Sequence, residues 1–421
     1  MLDRIWQIGR WSSTRDGTVA RGDPPGLAAS GLGLALAASL ALILALLGGL
    51  SFQTLIPLFV ELWGLSHGAA GWVASSSYIA YALASPFVVS ATDRVDARWV
   101  FAGGSLALAL AAFGFALFAR DFWTALPWRA LVGVGIAATY MPGLKALADR
   151  LRGRDQGRLQ SLYTASYALG SALSVAASGL LADALGWRGA FAVIGALALL
   201  AGLLFFVAAG AKAPPSPPAP TAARLREVWR HRESRRYVLA YALHTFEMFA
   251  FRTWVVSFLS FSFAYQGQDA NLAWLSGFAT VILLLGLPAA LLGNEWAERR
   301  GRKSSLRAIM LLSGLCALAL ALAVSAPVPL VLLLSLAYGA LIMADSAAIT
   351  VGTLAVAPAS RRGATIAVQT FLAALAAMVS PLLFGYLLDA FGADRPLGWR
   401  AGFAATALVA VSGVVVLGRG R

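Results

Sequence analysis

One cysteine, Cys316, stands in 421 residues, so neither an internal disulfide nor a Cys-x-x-Cys metal or redox site is available. Charge is nearly as scarce, with 12% of residues Asp, Glu, Lys or Arg, about half the roughly 25% of an ordinary soluble domain. Together with 59% hydrophobic residues and a mean hydropathy of +0.76, that shortage excludes a soluble globular domain. The chain contains no His-Glu-x-x-His, no phosphate-binding loop, no Gly-x-Ser-x-Gly and no paired His/Cys ligand spacing. It is therefore read as no enzyme, with no cofactor and no metal. The first residues, MLDRIWQIGRWSSTRDGTVARGDPPG, hold four arginines but no continuous apolar core, and do not read as a cleavable signal peptide.

What the sequence does have is long apolar stretches, each about the 20 residues that cross roughly 30 Å of hydrocarbon. They fall near 31–59, 68–92, 99–119, 122–148, 157–182, 189–209, 237–264, 272–296, 305–325, 328–354, 362–389 and 400–418. Runs such as LALAASLALILALLGGL are apolar on every side, whereas a barrel strand alternates. Backbone groups in lipid must be satisfied within the segment. The expectation is thus an all-α membrane protein of about twelve transmembrane helices.

Basic residues set the orientation, because positively charged loops stay cytoplasmic. Of the 33 Lys and Arg, 26 fall in the tails and even-numbered connections, while Arg120, Arg188, Arg395 and Arg400 fall on the opposite side. The net charge of +14 is then a topology signal with some attraction to anionic lipid, and no nucleic-acid partner is expected. Both termini are expected to be cytoplasmic, in a multi-pass protein of a bacterial inner (plasma) membrane. Residues 210–236, GAKAPPSPPAPTAARLREVWRHRESRR, interrupt the apolar pattern. The Pro-rich part is a spacer, and the basic part reads either as a short helix on the leaflet or as a solvated linker. The expected division is a tail at 1–29, one bundle at 30–209, the linker at 210–236, a second bundle at 237–418 and a tail at 419–421.

The halves repeat one another. LLADALGWRGAF (180–191) and YLLDAFGADRPLGWRAGF (386–403) both place Leu-x-Asp before a Gly-Trp-Arg, giving Asp183 with Arg188 and Asp389 with Arg400. ATDRVDAR (91–98) ends the second span as AERRGRKSS (297–305) ends the eighth. Duplicated halves meeting at the bilayer midplane are a transporter design.

On these residues the chain resembles the major facilitator superfamily over nearly its whole length. Asp93, Arg94 and Arg98 match part of the loop motif that family carries after its second helix, although Val89, Asp96 and Ala97 depart from it. Glu298, Arg299, Gly301, Arg302 and Lys303 match it better, with Asn294 in place of the first glycine. Arg129, Gly133, Gly135 and Ala137 resemble the fourth-helix pattern, while the Gly-Pro pair of many drug exporters is missing from the fifth span. The resemblance implies two pseudo-symmetric six-helix bundles, a monomer in lipid, and a small-molecule substrate carried by alternating access. Asp93, Arg94, Arg98, Glu298, Arg299 and Arg302 become candidate gating residues, whose charge pairs would hold one gate state. The plainer reading makes them topology signals.

Ionisable residues inside the spans are few, and each is costly in lipid. Setting aside those at the very ends of the spans, they are Arg129, Lys145, His244, Glu247, Arg252 and Asp345. All lie on the fourth, seventh and tenth spans, which line the cavity in the family resembled. HTFEMFAFRTW (244–254) parallels ALLGGLSFQTL (45–55), setting Gln53 opposite Arg252. Arg252 is a candidate for binding an anionic group through its forked guanidinium; the alternatives are a fixed ion bridge to Asp345 or Glu247, or snorkelling. Gln53, Arg129, Tyr140 and Tyr338 join it as substrate-binding candidates, with Tyr167, Phe246 and Trp254 as further aromatics. Glu247 and Asp345, with His244 in a lesser role, are candidates for coupling transport to protons, and Lys145 is expected to snorkel. The expected function is secondary transport of a small organic anion or zwitterion, proton-coupled. The alternatives are drug or metabolite efflux within the same superfamily, or a non-transporting membrane receptor.

Overall fold

The computed structural model describes residues 25–151, 155–210, 225–358 and 361–418. The tail at 1–24, most of the Pro-rich linker and residues 419–421 lie outside the described residues. The described chain runs α1 (Pro25–Leu46), α2 (Ser51–Thr54), α3 (Ile56–Trp63), α4 (His67–Ala91), α5 (Ala97–Phe118), α6 (Phe122–Arg150), α7 (Gln156–Ala209), α8 (Leu225–Arg230), α9 (Arg232–Tyr265), α10 (Leu272–Arg300), α11 (Arg302–Leu322), α12 (Val328–Ala344), α13 (Ser346–Val356), α14 (Arg362–Phe391) and α15 (Pro396–Leu417).

With α12 and α13 taken together, ten of these described segments are long and apolar enough to cross a bilayer. One of them, α7, has 54 residues, about 80 Å at 1.5 Å per residue, and therefore crosses twice. Its reversal is at Gly186, whose φ of 70° and ψ of 164° lie in a region that essentially only glycine occupies. The first crossing is shared among α1, α2 and α3, which brings the total to twelve. Where the sequence predicts one helix over 31–59, Gly48 and Gly49 lie in the break between α1 and α2. Where it predicts one over 328–354, the helix divides at Asp345, between α12 and α13.

Several helix starts are set by side-chain caps that satisfy orphan N–H groups. Ser66 accepts from Ala69 N–H at the start of α4, Asn271 from Trp274 N–H at α10, and Asp121 from Thr124 N–H at α6. The last of these bonds holds the exposed Asp121 carboxyl below its ordinary range. In the linker, α8 seats Val228 against Val238 and Val368, so its end is docked on the second half of the chain.

Call the side where α1 begins and α15 ends the basic face, and the other the far face. α4 packs on α14 and α7 on α10, joining the two bundles. Toward the far face they share one apolar core, in which Phe59, Val175 and Trp187 of the first half join Trp254, Leu275 and Phe384 of the second. Toward the basic face the core separates. One cluster holds Phe101, Leu147 and Phe205 of the first half, and another holds Tyr237, Leu306 and Ile349 of the second.

Candidate functional site

Between the bundles, at mid-span, lies a cavity of about 250 Å³. It is near the small end of ligand pockets, which run roughly 300–1,000 Å³. Its wall takes Gly49 and Leu50 from the break after α1, Tyr78 and Tyr81 from α4, Tyr167 and Ser171 from α7, and Thr370 and Ala374 from α14. From α9 it takes Tyr241, Thr245, Met248, Phe249 and Arg252. The α9 spacing of 241, 245, 248 and 252 is one helical stripe at 3.6 residues per turn.

Arg252 is the one charged side chain among the described residues of this wall. It makes no ion pair with any described residue. Its guanidinium touches Met343 Sδ at 3.5 Å and lies 6.0 Å from the Phe249 ring centre. A cation without a counter-charge at this depth is expensive. The ion bridge weighed as an alternative is not made, because both carboxylates are engaged elsewhere. Asp345 Oδ1 lies 2.7 Å from His244 Nδ1, with both side chains buried. Glu247 is buried and accepts from the Ser313 hydroxyl of α11, with Tyr338 of α12 beside it. The three ionisable groups form a sealed cluster inside the second bundle, on the flank of α9 next to the cavity stripe.

Arg129 and Gln53 do not reach the cavity. Arg129 is fully buried and donates to Gly48 O at 3.2 Å, Gly49 O at 3.0 Å and Gln53 Oε1 at 3.1 Å. The break after α1 frees backbone groups that lipid cannot solvate. Arg129 covers two of the carbonyls, and Ser174 covers Leu47 O at 2.7 Å and the Leu50 N–H at 3.0 Å. Gln53 passes the chain onward by donating to Tyr78 Oη at 3.0 Å, so the pair orients a wall residue from behind. The sequence predicts that both contact substrate directly; in this structure neither lines the cavity.

The aromatic candidates also separate. Tyr167 lines the cavity, whereas Tyr140 stands behind it, 4.7 Å from the Tyr167 ring. Tyr338 is buried against Phe251, and the Trp254 indole donates to Pro381 O at 3.2 Å. Both are packing residues here. Lys145 pairs with Asp149 at 2.8 Å. Sequence reasoning passed over Tyr78, Tyr81, Tyr241 and Phe249, because tyrosine and phenylalanine in a span carry the same signature as interface anchors.

The gating candidates pair within their own halves. Asp93 and Arg94 are exposed, and their side chains make no ion pair with a described residue. The engaged carboxylate is Asp96, which caps α5 through Arg98 N–H and receives Arg150 at 2.9 and 2.8 Å. Arg98 lies over Phe206, 5.0 Å from its ring centre. In the second half Arg302 donates to Asn294 Oδ1 at 3.0 Å and Ala348 O at 3.3 Å, with Glu298 at 3.7 Å. Arg299 meets Glu295 at 2.6 Å on the surface, where such pairs contribute little. The expected latch across the halves is therefore not formed by these six residues. Asp96, which departs from the family loop motif, carries the first-half contact.

Twelve crossings in two bundles around a midplane cavity define the class as a polytopic transporter fold. The family model described as Major Facilitator Superfamily matches residues 38–352 and 277–420, and the chain belongs to that family. It is similar to the niacin transporter NiaP of Acinetobacter baylyi, 23% identical over 62% of this chain and 65% of that one. It is also similar to the uncharacterized transporter YycB of Bacillus subtilis, 25% identical over 77% and 79%, and to mouse spinster homolog 1, 27% identical over 35% and 28%. The matches thus span about two thirds of the first of these relatives and about a quarter of the last. Among solved structures, a bacterial homolog of the human lysosomal transporter spinster, inward-facing and occupied, superposes with a TM-score of 0.78 at 15% identity, covering 94% of this chain and 97% of that one. The nucleoside transporter NupG gives 0.77 at 14% identity, covering 91% and 98%. The chain is an integral multi-pass membrane protein of this transporter family.

Proposed function

We propose that this chain is a secondary active transporter of a small organic anion or zwitterion, coupled to protons, with its basic face in the cytoplasm. Its two moving units are residues 30–209 and 237–418, working as a monomer in lipid. The observation that carries the reading is Arg252, a guanidinium without an ionic partner among the described residues, on the wall of a small cavity rich in phenols. Bound carboxylate would supply the missing counter-charge through two parallel N–H···O bonds, while Tyr78, Tyr81, Tyr167 and Tyr241 offer aromatic faces and hydroxyls to the remainder. Niacin, an aromatic carboxylate and the substrate named for one relative, is the natural first probe. The buried His244, Asp345 and Glu247 cluster next to the cavity stripe is the coupling element in this reading, since carboxylates there exchange partners only when the second bundle rearranges.

The test is uptake into proteoliposomes under an imposed pH gradient, paired with thermal stabilisation across small carboxylates, amino acids and lipophilic cations. A ligand that binds the folded state raises apparent stability by mass action. Carboxylates should stabilise the wild type, and Arg252→Lys, which keeps the charge but loses the fork, should weaken that affinity about tenfold or more. Stabilisation by lipophilic cations alone, or unchanged carboxylate affinity in Arg252→Lys, refutes the anion reading.

A further inference from the structure

The repeated Leu-x-Asp of the two halves finds its purpose at the far face. Asp389, near the end of α14, accepts from the His67 N–H at 2.7 Å and the Gly68 N–H at 2.8 Å, in the first turn of α4. Its counterpart Asp183 in α7, 206 positions earlier, accepts from the Ala273 N–H at 2.9 Å, in the first turn of α10. Each carboxylate therefore caps a helix of the opposite bundle.

The division of donors is the same at both joints. The helix's own cap, Ser66 or Asn271, takes the third N–H, and the carboxylate from the other half takes the second. At α4 it takes the first as well. These are groups that a helix start leaves unsatisfied, they carry the positive end of its dipole, and an ionised acceptor roughly doubles the strength of each bond. His67 Nδ1, 3.4 Å from Asp389, adds a side-chain contact at one joint.

Small residues let the joints close. A methyl group on Gly68 would stand 2.9 Å from Asp389 Oδ2, one on Gly71 2.7 Å from Pro381 O, and one on Gly385 2.4 Å from His67 O. At the other joint, a methyl on Gly179 would meet Ser276 Oγ at 1.9 Å. Nearby, the Trp72 indole donates to Tyr386 Oη at 2.8 Å, Ser75 Oγ to Met378 O at 2.8 Å and Thr280 Oγ1 to Ala172 O at 3.2 Å. Both seams where the bundles meet are thus zipped toward the far face and end in a carboxylate.

We infer that Asp183 and Asp389 are a symmetric pair of far-face latches, which hold that gate shut by capping α10 and α4 across the bundle interface. The side chains of Asp389 and His67 remain 29% and 21% exposed, so water solvates both partners when the joint opens. Such a latch biases the closed state without locking it, as alternating access requires. The gating candidates at the basic face play no part in it, and it holds whatever the substrate proves to be.

Double electron–electron resonance on the full chain in nanodiscs tests the inference. With Cys316→Ser as background, nitroxides at Arg120→Cys and Asp269→Cys report the separation of exposed far-face loops from opposite halves. The isosteric pair Asp183→Asn and Asp389→Asn should raise the ratio of long to short distances about tenfold over the unsubstituted carboxylates. An unchanged distribution overturns the latch. Gly68→Ala props one joint open without removing a charge, and should shift the distribution in the same direction. If the double variant does not fold, the Gly68→Ala distribution decides by the same criterion.

Discussion

Replacing Arg129 with methionine separates a structural cation from a ligand-binding one. Three acceptors, Gly48 O, Gly49 O and Gln53 Oε1, depend on its guanidinium, and each buried acceptor left unmade costs about 1–3 kcal/mol. The costs are not fully additive, and losing a buried charge returns part of its desolvation penalty. A net destabilisation of roughly 2–4 kcal/mol follows. Arg252→Met removes a cation with no described ionic partner, so its stability should stay within about 1 kcal/mol of wild type or rise. The assay is reversible unfolding in mixed micelles followed by tryptophan fluorescence, together with ligand-induced thermal shift on the folded fraction. Arg129→Met should unfold early yet keep most of its carboxylate affinity, and Arg252→Met should do the reverse. If Arg129→Met keeps wild-type stability and loses binding, the assignment of Arg129 to the broken first crossing is wrong.

Glu247→Gln and Asp345→Asn should each abolish pH-driven accumulation in proteoliposomes, with exchange of substrate down its own gradient surviving in at least one; normal accumulation in both makes the cluster structural. In intact cells an impermeant thiol reagent should label Asp269→Cys and leave Glu295→Cys unlabelled, and the opposite pattern reverses the proposed orientation. Gly186→Ala forces a methyl-bearing residue into a glycine-only conformation, and unfolding measurements should find it less stable by about 1–3 kcal/mol.

Crossing segments were legible because bilayer thickness imposes a length and lipid imposes apolarity, and both are written in consecutive residues. Breaks were not. Gly48–Gly49 looks like any glycine pair in a membrane helix, and the residue that makes its interruption tolerable, Arg129, is about 80 positions away. The motif at Asp183 and Asp389 was visible as a repetition, yet its purpose depends on partners 90 and 321 positions distant along the chain. Burial cost picked out Arg129, Glu247, Arg252 and Asp345 alike. Cost alone does not say whether a charge is repaid by carbonyls, by a histidine, or by nothing the protein holds.

The two halves diverge where they correspond, and both sides of the divergence touch the cavity wall. Gly48 and Gly49 of the first half align with Glu247 and Met248 of the second, and Gln53 with Arg252. Glycines interrupt the first crossing, and its freed carbonyls engage a guanidinium from α6. In the second half α9 runs unbroken past those positions, and Arg252 makes no hydrogen bond to a backbone carbonyl of a described residue. The interruption falls instead at Asp345, between α12 and α13, where His244 attends the carboxylate. Arg129 thus attends the break of the first half and His244 that of the second, and in each the break and its partner are matched locally. Arg252 stands outside that matching, on the cavity wall and without an ionic partner among the described residues, and it is this asymmetry between the repeats on which the proposed anion site rests.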